Sequence, residues 1–457
     1  MFYLKRINAP DLRKTYLSAF FSIALTIAFQ NISGALITFI NICMVGNINT
    51  SNVAAIGSAG TTLYILNLFL YGIGTGSSIF CVRYWSKRDF ANVRKTALLC
   101  MEMGITIALI MSVLTFFFAV EIMTVFSKDK NIIELGSQFL KIISAGLIFI
   151  SISSSITFML RCVGKAYFSI FTGLGAVAIS FLLGWGLIYG NFGVHFQGIQ
   201  GAAVGIVTTK ILECLANIFL VYYYKCPIAI TLKDFFNPFK RRNALFYTRI
   251  VVVTLNDLLW GLGNIVYFII YGHMGAGNLA IMTIIQSVDQ LVLVVFVAVA
   301  NTAAIFIGNS IGTETREQVI QSGKSHFLAA FYTGLFSMIT LVIFIPLIKM
   351  NYRLAGDIWE LVRDNIILLA LFLPLKSINL MFVDGIFRGG GDTKFIFFAD
   401  AGILWIFGIP TALLLGLYMS LDIRFVFFGV LFVEIIKFMI ASRHFFLHKW
   451  IKKLRPV

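Results

Sequence analysis

Gly46-Asn47-Ile48-Asn49-Thr50-Ser51-Asn52-Val53-Ala54 recurs 226 residues later as Gly272-His273-Met274-Gly275-Ala276-Gly277-Asn278-Leu279-Ala280. The register holds without a gap as far as Ser78-Ile79-Phe80 over Ala304-Ile305-Phe306. After one inserted residue, Arg161-Cys162-Val163-Gly164-Lys165-Ala166-Tyr167-Phe168 lies over Arg388-Gly389-Gly390-Gly391-Asp392-Thr393-Lys394-Phe395. Each copy holds about six apolar runs of membrane length, roughly 20 residues each. An even number of spans per copy places both copies in the same orientation, related by an axis along the membrane normal, which is one of the repeat plans of secondary transporters. The cleft between the copies is therefore the expected place for a site.

Composition fixes the class. Hydrophobic residues make up 59% of the chain and charged residues 12%, with a mean hydropathy of +0.92, far from the soluble average of about a quarter charged. From Thr15 to Val82 there is no Asp, Glu, Lys or Arg, enough chain for two spans and a short turn, and Ala166 to Thr209 is equally free of them. The reading is an all-α polytopic membrane protein of 12 transmembrane helices in two six-helix lobes, with spans near 16–44, 54–80, 96–120, 131–160, 168–190, 200–224, 244–271, 279–307, 326–348, 362–387, 395–418 and 425–443.

A formal net charge of +16 would point to nucleic acid in a soluble protein. Here 24 of the 36 Lys and Arg fall on the side of the N-terminus, 5 on the other side and 7 inside spans or at their ends. That asymmetry is a topology signal: by the positive-inside rule both termini and the central linker are expected in the cytoplasm. The expected location is the cell's inner membrane and the expected partners are the lipid bilayer and a small organic substrate. No nucleic-acid partner is expected, and the oligomeric state anticipated is a monomer. The six cysteines have no metal-ligand or redox spacing and are read as free thiols. The domain reading is an N-terminal lobe 1–224, a linker 225–243 containing Pro227, Pro238 and Lys240-Arg241-Arg242, and a C-terminal lobe 244–457 with a short tail.

Several short motifs at span boundaries carry a resemblance. They are Met44-Val45-Gly46 followed by Asn52-Val53-Ala54-Ala55-Ile56-Gly57, Tyr84-Trp85-Ser86-Lys87-Arg88-Asp89, Leu160-Arg161-Cys162-Val163-Gly164-Lys165, Gly198-Ile199-Gln200-Gly201-Ala202-Ala203, Gly308-Asn309-Ser310-Ile311-Gly312 and Phe387-Arg388-Gly389-Gly390-Gly391-Asp392-Thr393. Each alone is a weak glycine-rich turn; in this order and at these boundaries they resemble the multidrug and toxic compound extrusion (MATE) family of antiporters across essentially the whole chain. The resemblance implies two six-helix lobes around a V-shaped cavity and export of organic, often cationic, compounds in exchange for protons or sodium ions. No resident cofactor is implied, since the H+ or Na+ is itself transported.

An ionisable residue inside a span is costly and is by default a functional candidate. Asp257, in Leu255-Asn256-Asp257-Leu258, has no opposite charge within reach on its own helix. Such a carboxylate suits reversible proton loading, or attraction of Na+ when ionised. Lys376, just after Pro374, is read as the partner of Asp257 or of Asp289, and these three are the candidate ion-coupling residues. A fixed lysine there competes with sodium, which favours protons. Gln30, Asn41, Asn256, Gln286 and Ser377 are candidates to line the substrate cavity. Asp384 stands four residues before Arg388, the spacing of a helical ion pair; Asp400 is read as a gate contact or as a partner of Lys394. Lys210 with Glu213, and Glu434 with Lys437, are read as self-neutralising pairs, and Arg161 joins the gate or structural set. Glu102 has no assignment.

Departures from the resemblance point the same way. Many MATE proteins carry an aspartate near the end of span one, where this chain has Asn41, and a proline in that span, where it has Ala24-Leu25-Thr26-Ile27. Some carry an aspartate eleven residues before the span-ten arginine, where this chain has Ser377. Coupling is therefore expected in the C-terminal lobe. The rival transporter reading is a lipid-linked saccharide flippase, expected to be more basic in its cavity. An enzyme is not expected: there is no HExxH, no paired cysteine cluster and no Walker motif.

Overall fold

The computed structural model describes residues 20, 23–32, 36, 37, 40, 44, 50–126, 129–189, 191, 193, 198–230, 244–352 and 356–452. Among them the ordered elements are all helical, because long uncharged apolar runs in lipid can satisfy their backbone groups only within a helix or a closed barrel. In order these are α1 Ile23–Ile32, α2 Thr50–Ser86, α3 Phe90–Phe117, α4 Ala119–Phe126, α5 Lys130–Ser144, α6 Leu147–Cys162, α7 Tyr167–Ile188 and α8 Gly198–Tyr223. There follow α9 Ala244–His273, α10 Ala276–Thr313, α11 Arg316–Tyr352, α12 Gly356–Leu380, α13 Thr393–Tyr418 and α14 Ile423–Phe446. Ten are long and apolar enough to cross a bilayer, and α5 with α6 makes an eleventh span bent by 55°. The remaining expected span, 16–44, is described only in part, as α1.

Local chemistry sets the helix ends. Asp89, Asp129 and Asp422 cap α3, α5 and α14, each side chain accepting a backbone N–H of the first turn. Gly164 and Gly391, equivalent in the two copies, both adopt left-handed φ values of 73° and 78°. Lys165 N then bonds Leu160 O at 2.9 Å and Asp392 N bonds Phe387 O at 3.0 Å, the same glycine-closed helix end twice. The α5–α6 bend falls at Ser144-Ala145-Gly146, where Ser144 Oγ bonds Lys141 O and interrupts the ladder.

Contacts divide the chain into two compact units, Phe29–Ala244 and Met1–Ala28 with Leu245–Val457. The sequence reading differs at both edges, having put 1–28 in the first lobe and a linker over 225–243. Among the described residues the reason is local: Phe20 packs edge-on to Phe306 at 5.8 Å and beside His326 at 5.2 Å, and Ala24 joins the same buried cluster with Phe382 and Trp450. Most of the linker, 231–243, lies outside the described residues.

In both units the interior is mostly apolar with buried polar side chains among it, and the outer surface is apolar too. Large apolar side chains such as Phe171 and Leu291 are 68% and 74% exposed, as lipid contact requires. Ser, Thr, Asn and Arg side chains are instead buried, Ser153, Thr172 and Asn217 forming one bonded set in the first unit. The described cysteines, Cys81, Cys100, Cys162, Cys214 and Cys226, are buried free thiols, as expected.

α12 does not stop at Leu380. It continues through a π-helical stretch, Met381–Phe387, into Arg388–Gly390, and α13 is widened in the same way at Phe398–Gly402, Leu404–Gly408 and Leu414–Tyr418. Asp384 and Asp400 sit in the first two of these. Such widened turns are rare and concentrate at functional sites.

Candidate functional site

Within the second unit, α9, α12, α13 and α14 bring six charged side chains into one buried cluster. Arg388, only 1% exposed, places Nη2 2.9 Å from Asp257 Oδ1 and 2.7 Å from Asp384 Oδ1. Lys437 places Nζ 2.9 Å from Asp400 Oδ1 and 3.8 Å from Glu434 Oε1. Asn256 joins the two groups: its Nδ2 donates to Asp400 Oδ2 at 3.1 Å and to Asp257 Oδ1 at 3.4 Å, and its Oδ1 accepts from Ala401 N. Asn379 Nδ2 donates to Glu434 Oε2 at 2.7 Å. The arrangement is two triads, acid–base–acid, bridged by one amide.

The π-helical stretch explains how one guanidinium serves two acids. It turns Asp384 and Arg388 together towards α9, where Asp257 stands next to Asn256. Gly389 allows the approach of this segment to α10, since a Cβ there would lie 2.8 Å from Ala304 O. Gly390 is covered by Trp450, whose carbonyl oxygen would lie 2.4 Å from an added Cβ, and Lys452 N bonds Gly390 O. Asp392, at the turn, accepts from His444 Nε2 at 2.9 Å and pairs with Lys452 at 3.2 Å.

The equivalent position in the first unit is chemically different. Arg161 Nε donates to Gln30 Oε1 at 2.6 Å and Nη2 to Asn31 Oδ1 at 3.4 Å. The register of 226 set by Gly46 over Gly272 puts Asn31 over Asp257, and Arg161 lies over Arg388 after the inserted residue. The same arginine contact thus meets an amide in one copy and a carboxylate in the other.

The sequence profile of the MatE family matches residues 26–186 and again 253–414, one match per copy of the repeat. The chain belongs to the MatE family. An uncharacterized transporter YisQ of Bacillus subtilis is 20% identical over 411 residues, covering 90% of each chain. A probable multidrug resistance protein NorM of Photorhabdus laumondii is 22% identical over 419 residues, covering 87% of each. Among solved structures, a MOP-superfamily transporter from Pyrococcus furiosus, described by a binding pocket of reverse polarity, is similar with a TM-score of 0.82 at 17% identity over 95% of this chain and 96% of that one. A MATE transporter in its bent conformation gives 0.82 at 17% identity, covering 94% of each. These neighbours fix the fold, and with the family they make this chain a multi-pass membrane transporter of the multidrug-efflux type.

In this MatE chain the remaining predicted residues fall as follows. Lys376 pairs with Asp289, Nζ lying 2.6 and 2.7 Å from the two carboxylate oxygens, and not with Asp257. Asp257 is claimed by Arg388, a partner 131 residues on that sequence spacing on its own helix could not reveal. Asp384 and Arg388 form the expected i,i+4 pair. Asp400 meets Lys437 rather than Lys394, because the wide turns of α13 aim it at α14. Lys210 and Glu213 pair at 2.7 Å as expected. Glu434 and Lys437 also pair, but Asn379 and Asp400 make them part of the cluster rather than a self-contained unit. Ser377 Oγ donates to Ala330 O, its hydroxyl serving helix packing. Gln286 is half-buried beside Asp289, and Glu102 is half-buried on α3. Asn41 lies outside the described residues. Asn379, Glu434 and Lys437 are the participants that sequence reasoning left out of the site.

Proposed function

We propose that this MatE transporter is a cation-coupled antiporter that exports organic cationic or amphipathic compounds by alternating access, with protons as the coupling ion. The observation that supports the reading best is the Asp257–Arg388–Asp384 triad: two buried carboxylates share one guanidinium. Ionised together they leave one uncompensated negative charge inside the membrane, which is costly. A proton removes it and leaves a neutral carboxyl still able to accept from Arg388. A sodium ion would have to share the site with a fixed guanidinium, which opposes it. Coupling follows when the proton and the exported compound prefer opposite states of the protein.

The Lys376–Asp289 pair has side chains 16% and 21% exposed and offers a carboxylate for a cationic substrate once the lysine is displaced. Gln286 and Asn256 are proposed polar contacts of the same lobe, and Gln30 with Asn41 of the other. In this reading no resident cofactor and no covalent chemistry are needed, the chain works as a monomer, and both termini face the cytoplasm at the inner membrane. The test is efflux of a cationic dye from proteoliposomes under an imposed proton or sodium gradient, for wild type and Asp257→Asn. Efflux driven by the proton gradient in wild type and abolished in the variant supports the reading. Efflux indifferent to both gradients overturns it in favour of a flippase.

A further inference from the structure

Within the first unit, α3 and α8 both pack along α6 but scarcely on each other, which leaves a groove between them floored by α6. The groove holds a cavity of about 160 Å³. Ala97 and Met101 form one wall, Ile218 and Tyr222 the other, and Met159 belongs to the floor. Ser155, the polar side chain of the floor, is hydrogen-bonded to the Cys100 thiol. What remains is an apolar slot, and an apolar cavity of roughly 150 Å³ has room for a group the size of benzene. Leu215, Phe219 and Tyr222 stand exposed along the same side of α8, so the groove opens where a spanning helix faces lipid.

One end of the groove is roofed. α8 stops at Tyr223 and the chain turns at Lys225, whose φ of 43° lies in the left-handed region that helix ends usually give to glycine. Residues 226–230 then run back over the groove, Ile230 reaches the cavity, and Tyr222 Oη donates to Ile230 O. Three basic residues surround this roof, one from each helix of the groove. Arg94 lies one turn before Ala97 on the same face of α3. Lys165, just past α6, has Nζ 3.5 Å from Cys226 Sγ, and Lys225 follows α8. Neither Lys165 nor Lys225 has a carboxylate partner among the described residues. Asp89, an acid at the same end, is taken up by Asn92 as the cap of α3. A side chain kept in a strained turn, and an ammonium whose partner is a thiol, together call for an anion above the apolar slot.

We propose that this groove binds one anionic phospholipid, with an acyl chain in the slot between α3 and α8 and the phosphate held by Lys165 and Lys225, beside Arg94. Tyr223 and Tyr224, exposed next to Lys225, mark the membrane interface, so the basic end of the groove lies at headgroup depth and the slot at the depth of the acyl chains. A soluble anion would satisfy the lysines but leave the slot empty; a phospholipid meets both. Glu102, which follows Met101 away from the basic end, sets the rival occupant, a cationic amphipath. Three cations at the roof against that one acid favour the anion. The site is independent of the coupling ion and of the exported compound.

The experiment is native mass spectrometry of the delipidated full-length protein in detergent, titrated with dioleoyl phosphatidylglycerol, dioleoyl phosphatidylcholine or a dioleoyl trimethylammonium lipid. Wild type is expected to take up its first phosphatidylglycerol more tightly than either of the others. Lys165→Gln and Lys225→Gln should each weaken that step about fivefold and leave phosphatidylcholine unchanged. Ile218→Trp, which fills the slot from its open side, should abolish it; Ala97→Leu fills the slot from the opposite wall and serves if the tryptophan variant does not fold. Equal binding of the three lipids, a preference unchanged in both lysine variants, or phosphatidylglycerol uptake indifferent to the filled slot each overturns the proposal. Tighter binding of the cationic lipid overturns it in favour of Glu102, and a wild-type protein that takes up no lipid overturns it outright. None of these outcomes touches the coupling reading, whose residues lie in the other unit.

Discussion

Arg388 Nη2 lies 2.9 Å from Asp257 Oδ1, so the arginine that closes α12 neutralises the acid in the middle of α9. The same guanidinium also holds Asp384, and this sharing makes substitutions on its two sides unequal. Asp257→Asn leaves Arg388 with one carboxylate, a balanced pair, and is expected to change stability by less than about 1 kcal/mol while abolishing proton-driven efflux. Arg388→Met leaves two buried carboxylates without a base and is expected to cost about 3–5 kcal/mol. Thermal unfolding of the purified variants, set beside dye efflux, checks the asymmetry; equal destabilisation by both would contradict the sharing.

Lys376 and Asp289 form a separate pair, half-open to its surroundings. If a cationic substrate competes with Lys376 for Asp289, Lys376→Met should tighten dye binding and Asp289→Asn should weaken it. The double-mutant cycle for binding should give an interaction energy of about 0.5–3 kcal/mol. Dye affinities that move in the same direction in both single variants would assign the pair to structure alone.

Much of the fold was legible because it is written twice. The duplicated motifs and the charge-free runs marked most of the helical spans and the repeat, and the same glycine ends each equivalent helix at Gly164 and Gly391. The site was legible only in part. A charge in an apolar run, such as Asp257 or Lys376, announces itself, but its partner on another helix does not. In helices apolar on every face, sequence periodicity says little about rotation, so the wide turns that aim Asp400 at Lys437 left no signal, whereas the i,i+4 spacing of Asp384 and Arg388 did. One further signal lay in the repeat: its register of 226 puts Asn31, which meets Arg161 Nη2, over Asp257, which meets Arg388 Nη2.

Trp450, fully buried after the last helix, covers Gly390 and stacks near Phe445. Trp450→Ala is expected to cost about 3–5 kcal/mol, the range for truncating a buried aromatic. Gly390→Ala should be similarly damaging, because its Cβ would meet the Trp450 backbone and not a movable side-chain end. A melting temperature unchanged in Trp450→Ala would show that the segment after α14 does not brace the turn beside Arg388.

Asp422 caps α14 and sits outside the membrane-spanning segments, so its titration reports on the helix start alone. Partial burial pushes its carboxyl upward, but hydrogen bonds from the Arg424 side chain and backbone outweigh this and hold it below the usual carboxylate value. A folded-state value below the unfolded one stabilises the protein above the ordinary carboxylate range, and the contribution is lost as pH falls through the depressed value. Asp422→Ala should cost about 1 kcal/mol near neutrality, and the gap from wild type should close in acid. A gap that widens in acid would reverse the sign.

Arg161 is 6% exposed, lies over the Phe158 ring at 4.9 Å and is met by the amides of Gln30 and Asn31. Gln30→Glu puts an ionised oxygen where Gln30 Oε1 already accepts from Arg161 Nε at 2.6 Å, with no change of shape. It thereby gives the buried guanidinium of the first unit a carboxylate partner, as Arg388 has in Asp257 in the second. A hydrogen bond to a charged group contributes about 1.5–3 kcal/mol against about 1 for a neutral one, less the cost of burying the new carboxylate. With the guanidinium already buried, the balance favours the pair, and a raised melting temperature is expected. A lowered one would mean that the charge of Arg161 is already compensated, and that the amide at position 30 in place of an acid is a requirement of the first unit.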